Sequence, residues 1–74
     1  MNQEEYTIAT EVRRWTPAPL TVQVAQRGDM MHVRLCDPRD QREAVMSMTL
    51  DNALSVTLIR AATMQSIARV WGNA

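Results

Sequence analysis

Residues 20–36 read LTVQVAQRGDMMHVRLC and carry the strongest structural signal in the chain. Apolar and polar residues alternate on both sides of a short turn around Gly28, and alternation with a period of two is typical of strands with one buried face. This stretch therefore predicts a β-hairpin. We expect its buried side to carry Leu20, Val22, Val24, Met31, Val33 and Leu35.

The same alternation returns over residues 43–49, where Ala44, Met46 and Met48 lie on one side. A charged loop, residues 37–42, separates this segment from the hairpin. Because the connection is short, we expect the third strand to lie beside the hairpin and to pair with it antiparallel.

Residues 6–15 fit two structures. As a strand, the segment places Tyr6, Ile8, Thr10 and Val12 on one side. As a helix, it forms an apolar stripe, with acidic residues at its start and arginines at its end, which suits the helix dipole. The β-branched residues among positions 6–10 favour the strand. We take the strand as the expectation and keep the helix as the alternative.

Residues 50–71 contain no Gly or Pro and predict one long C-terminal helix. Thr49 is a suitable N-cap, and Gly72 is a suitable stop in a left-handed conformation. The expected fold is α+β. A small antiparallel sheet of three to four strands, in the order β-β-β-β-α, packs one face against the helix in a single domain, residues 1–74.

The predicted helix is apolar on two sides. The arc that suits packing on a sheet contains Leu54, Leu58, Ala61, Ala62 and Ala68, and the opposite arc contains Val56, Ile59, Thr63, Ile67 and Val70. A helix of this kind is normally covered on both sides. We therefore expect the second arc to mediate self-association in a homodimer, bordered by Arg60, Arg69 and Trp71 as a rim that contacts partners. If residues 6–15 are instead a helix, that segment could cover the second arc.

Composition excludes several classes of protein. The 74 residues include eight Arg and eight acidic residues, so the formal net charge is zero, which argues against a basic nucleic-acid arm or an acidic tail. One Cys and one His cannot form an internal disulfide or a four-ligand zinc site, and we expect no metal and no cofactor. The polar, acidic start is unlike a secretory signal, and we expect a cytoplasmic protein with no membrane partner.

Candidate chemistry is sparse. His32 and Cys36 lie roughly 13 Å apart on a strand, too far to bind one ion, and Arg27-Gly28-Asp29 is best explained as a hairpin turn. We expect no enzyme activity. The favoured function is a protein–protein interaction module, a homodimeric small regulator or inhibitor of bacterial or phage type that occupies a surface of a larger protein. The alternative is single-stranded nucleic-acid binding by the outer sheet face, through Arg13, Trp15, Gln23, His32 and Arg34.

Overall fold

The computed structural model describes residues 1–72, which form a three-stranded antiparallel sheet with helices on one face. The strands are β1 (Thr21–Arg27), β2 (Met30–Cys36) and β3 (Glu43–Thr49), in the order β1-β2-β3. The helices are α1 (Gln3–Arg14), α2 (Leu50–Ala53) and α3 (Val56–Trp71). The α+β class with a C-terminal helix is confirmed. The prediction of a fourth strand and the β-β-β-β-α order are wrong, because the N-terminal segment is helical.

The hairpin is confirmed. Arg27 pairs with Met30 across a two-residue turn in which Gly28 has φ 62°, a conformation that glycine adopts without strain. On the predicted inner side, Met31, Val33 and Leu35 are buried. The remaining inner residues are partly buried, namely Leu20, Val22 and Val24. Strand β3 pairs antiparallel with β2, as its short connection predicts.

Helix α1 replaces the strand expected over residues 6–15. Asn2 caps it by accepting a hydrogen bond from the Glu5 N–H at 2.7 Å, while the Glu5 carboxylate accepts one from the Asn2 N–H at 2.9 Å. This reciprocal capping box satisfies two amides that would otherwise lack partners at the helix start. Ile8 and Val12 then point into the core at helical spacing. Local capping and the charge order therefore outweigh the strand preference of the β-branched residues.

The single helix predicted over residues 50–71 is interrupted. Leu54 forms a turn, and Ser55 has an extended conformation and caps α3 by accepting a hydrogen bond from the Leu58 N–H at 3.3 Å. Thr49 caps the one-turn helix α2 in the same way, through the Asn52 N–H. Helix α3 ends at Gly72, where φ is 84°. Its 16 residues extend about 24 Å, similar to a seven-residue strand, so no long overhang beyond the strand ends is required.

The core lies between the sheet and the helices. Helix α1 packs mainly on β1, α3 packs mainly on β3, and the two helices also contact each other. The buried apolar side chains come from every element except β1, whose valines are partly buried: Ile8, Val12, Met31, Val33, Leu35, Ala44, Met46, Ala53 and Ile59. The other sheet face is open. Within residues 1–72, no helix has both the length and the apolar character needed to cross a bilayer.

Candidate functional site

The arc of α3 expected to mediate self-association forms the inner face of the helix. Ile59 and Thr63 are 1% and 0% exposed, and Ile67 and Val70 are partly buried against the core. Only Val56, at the start of the helix, is exposed. The sheet and α1 cover this arc within one chain, as expected if residues 6–15 are helical. Ile59 and Thr63 are therefore inaccessible to a second copy in this conformation, whereas Ile67 and Val70 are partly exposed.

The opposite arc, expected to pack on the sheet, faces outward. Leu54 and Leu58 are 47% and 48% exposed, and Ala61 is also exposed. Both arcs are apolar, so helical periodicity alone could not decide which one the sheet would bury. Helix α1 determines which arc is buried, because the sheet and α1 together cover the arc of β-branched residues that contains Ile59.

The three predicted rim residues do not lie together. The Arg60 guanidinium stacks 4.4 Å from the centre of the Trp15 ring, on the side of α3 that contacts α1. Arg69 lies on the opposite side, next to β3. Trp71 is half-buried against the core. A separation of nine residues turns a helix through about 180°, which explains why the two arginines face in opposite directions.

The predicted nucleic-acid face is also divided. Gln23 and Arg34 are direct neighbours across β1 and β2 on the open sheet face, and His32 lies on the same face. Arg13 and Trp15 instead belong to α1 and its C-cap, on the helical side of the sheet. The only aromatic residue of the set is therefore separated from the sheet residues. In addition, Arg34 forms an ion pair with Glu43 at 2.6 Å, which offsets its charge.

The open sheet face also contains a histidine–serine pair. The Nδ1 atom of His32 lies 2.8 Å from Oγ of Ser47. In the part of the chain that the structure describes, no carboxylate hydrogen-bonds to this histidine, so the third group of a catalytic triad does not orient it. Among residues 1–72 no cluster of three or more His, Cys, Asp or Glu side chains could hold a metal ion, and the Cys36 thiol is free.

A groove with a volume of about 560 Å³ lies between β3 and α3. We call it the β3–α3 groove. Its apolar lining comes from both elements: Val45, Met46, Met48, Leu58, Ala61 and Ala62. Its polar lining consists of Ser47, Asn52, Gln65, Ser66 and Arg69. Arg69 is the one charged side chain in these two sets, so the groove is mostly neutral with one positive end.

The free edge of β3 lies beside this groove. The Leu50 N–H donates to the Asp29 carbonyl at 2.7 Å and the Asp37 N–H donates to the Arg42 carbonyl at 2.9 Å, so even-numbered residues of this segment bond to β2. Because antiparallel strands alternate in direction, the N–H and C=O groups of Glu43, Val45 and Ser47 point away from β2. Within the described residues, these groups have no hydrogen-bond partner.

The edge of β1 is arranged differently. Its outward amides belong to alternate residues that include Gln26, and the Gln26 N–H donates to the Glu5 carboxylate at 2.7 Å. The bonds from the Asn2 and Gln26 amides hold the pKa of the Glu5 carboxyl below its usual value. The N-terminus of α1 thus closes one end of this edge. Among residues 1–72 no segment covers the edge of β3 in a comparable way, and the sequence of β3 contains no Pro or Lys, the residues that commonly protect exposed edges.

The β3–α3 groove could not be located from the sequence, because its position depends both on the order of the strands and on which arc of α3 is buried. One feature of the sequence pointed to the free edge of β3. This strand is the last one and is followed by helices, so a strand to pair with its second edge would have to come from another part of the fold. Comparison of the chain with protein-family models, curated proteins and solved structures finds no match in any of the three.

Proposed function

We propose that this chain is a non-enzymatic protein–protein interaction module, a small regulator or inhibitor that binds a larger protein through the β3–α3 groove and the free edge of β3. One observation carries the proposal: a strand edge whose backbone groups are unpaired within residues 1–72 adjoins a groove lined by both apolar and polar side chains. Natural proteins usually cover or protect such an edge, and apolar grooves with few polar groups are common binding sites.

Side-chain and backbone contacts at this surface would each add a favourable energy to binding. Val45 and Leu58 are 53% and 48% exposed, so covering them removes about half of each side chain from water. Full burial of such a side chain is favourable by about 1.5–3 kcal/mol, so each would contribute about 1 kcal/mol. Backbone hydrogen bonds along the edge would add about 0.5–1.5 kcal/mol each. The sum is several kcal/mol before the entropy of association is subtracted.

The charge distribution supports a protein partner more than nucleic acid. The net charge is zero, so the counterion release that dominates nucleic-acid affinity would be small. Arg34 lies on the open sheet face, whereas Trp15 lies on the helical side of the sheet, so these two residues cannot bind one strand together. A homodimer through α3 would require Ile59 and Thr63 to leave the core. In the experiment below, a nucleic-acid adduct or a dimer of the chain itself at position 58 would favour one of these alternatives over a larger protein.

Site-specific photo-crosslinking tests the proposal. A benzophenone side chain replaces Leu58 in the groove or, as the control, Thr7 on the exposed side of α1, and the chain is expressed in cells that naturally produce it. We expect a discrete protein adduct from position 58 alone. The adduct should disappear when Ser47→Pro removes one outward N–H, and it should persist in Ser47→Ala, which loses the same hydroxyl but keeps the amide. Absence of an adduct at position 58, or equal adducts at both positions, contradicts the proposal.

A further inference from the structure

We infer that the occupant of the β3–α3 groove is an extended segment of another protein, which adds a fourth strand to the sheet along β3 and places an acidic side chain beside Arg69. This inference rests on the proposed function and specifies its partner. Three features of the structure support it: the spacing of the free backbone groups, the position of α3 and the charge at one end of the groove.

The free backbone groups match an extended chain. Glu43, Val45 and Ser47 present their N–H and C=O groups on one side of the strand, one residue in every two. This repeat of about 6.8 Å is the spacing of a β-strand. A helix cannot satisfy these groups, because its own backbone groups are bonded within the helix. Strand addition is the recognition mode that uses such an edge.

The position of α3 disfavours a second copy as the occupant. Two copies related by a two-fold axis at this edge would pair β3 with β3 antiparallel and keep both helical layers on the same side of the sheet. Paired strands lie about 4.8 Å apart, whereas packed helices need about 8–10 Å between their axes. Since α3 packs mainly on β3 itself, the two copies of α3 would collide. A single strand without its own helix avoids this collision.

The charge at the groove specifies one feature of the partner. The Arg69 side chain is exposed, and among residues 1–72 no acidic side chain forms an ion pair with it. The end of α3 lies near the start of β3, because Nη1 of Arg42 donates to the Val70 carbonyl at 3.4 Å. The nearest acid on β3, Glu43, is already bonded to Arg34. An acidic side chain near the Glu43 end of the added strand would therefore complement Arg69.

The side chains of the added strand should alternate. One side faces α3, where Leu58 and Ala61 line the groove, and the other side lies beside Val45 on the open sheet face. Apolar residues are therefore expected at alternate positions under α3, with at least one β-branched or apolar residue next to Val45. The groove takes a segment of six or seven residues, the length of β3.

Display of random eight-residue peptides tests this inference. The natural chain is panned against the library, and the enriched peptides are measured against variants by fluorescence polarisation. We expect enriched peptides with alternating apolar residues and an acidic residue near one end. Arg69→Glu should weaken them by up to about fivefold, since an exposed ion pair contributes up to about 1 kcal/mol. Arg13→Glu, an equal charge change at an exposed site on α1, should have no effect.

Two further results decide the inference. Peptide binding should be lost in Ser47→Pro and kept in Ser47→Ala, because only the proline removes the outward amide. No enrichment, enrichment without alternation, or equal binding to the Ser47→Pro chain overturns the strand-addition inference. If the Leu58 crosslink nevertheless forms, the proposed function stands and only the nature of the occupant is wrong. If sedimentation equilibrium shows that the crosslinked product is a self-dimer, the inference is also overturned.

Discussion

Replacement of Ile59 by alanine tests which face of α3 supports the fold. Ile59 is 1% exposed and packs within the core cluster, so truncation removes a buried side chain and leaves a cavity. Such substitutions cost about 2–5 kcal/mol. The matched substitution, Leu58→Ala, affects a neighbouring side chain that is 48% exposed, and we expect a cost of about 1 kcal/mol. A domain of this size has a total stability of roughly 4–11 kcal/mol, so Ile59→Ala removes a large fraction of it.

Urea denaturation followed by far-UV circular dichroism measures both variants. Ile59→Ala should shift the midpoint to much lower urea with an unchanged slope, while Leu58→Ala should shift it only slightly. If α3 instead packed its leucine–alanine arc on the sheet, the order would reverse. A Leu58→Ala cost equal to or larger than that of Ile59→Ala refutes the observed packing and, with it, the β3–α3 groove.

Three further perturbations follow from local contacts. Asp37 is almost fully buried and accepts hydrogen bonds from Arg39, which lowers the pKa of its carboxyl to about 2. The contribution of the ionised carboxylate to the free energy of unfolding should be complete above about pH 4 and should be lost as the pH falls towards 2. In Asp37→Asn, the pH dependence of urea unfolding should flatten. Ser55→Ala removes the α3 cap and should cost about 1 kcal/mol in thermal or urea unfolding. Arg60→Ala should change the fluorescence of Trp15 and cost about 0.5–1 kcal/mol, as expected for an exposed cation–π contact.

The strands could be predicted because one physical requirement acts on every residue of each strand. In the hairpin, Val33 and Leu35 alternate with exposed Arg34, and a register shift of one residue would expose both apolar side chains. The turn at Gly28 reinforces the same register, since it needs a residue that accepts a positive φ. The alternation of side chains and the turn at Gly28 indicate the same register, so the sequence predicts a single hairpin structure.

The strand prediction for residues 6–15 was wrong because two local preferences conflict in the N-terminal segment. Thr7, Ile8 and Thr10 favour a strand by side-chain branching, whereas Asn2 and Glu5 favour a helix by capping. The spacing from Asn2 to Glu5 was visible in the sequence and is the signal that could have decided for the helix. The expectation of self-association depended on this strand, because without α1 the arc containing Ile59 would need a second molecule to cover it.

The candidate site could not be predicted from local pattern. An edge is a property of the whole sheet, and Val45 reads as an ordinary outward residue of a strand until β3 is known to have only one neighbour. The packing of α3 also depends on the whole fold. The arcs containing Leu58 and Ile59 are both apolar, so the arc that is buried depends on what the rest of the fold can cover.

Within residues 1–72, the helices and the sheet of one chain cover the core, and this affects how the edge can act. Its accessible surface is 4736 Å², close to the roughly 4,600 Å² expected for a folded monomer of its mass. The apolar arc around Ile59 is covered by the sheet and by α1 of the same chain. The edge of β3 is therefore preorganised, held in register by its pairing with β2. A partner strand would bear the cost of its own ordering but not that of forming the binding surface, which favours reversible binding by a short segment.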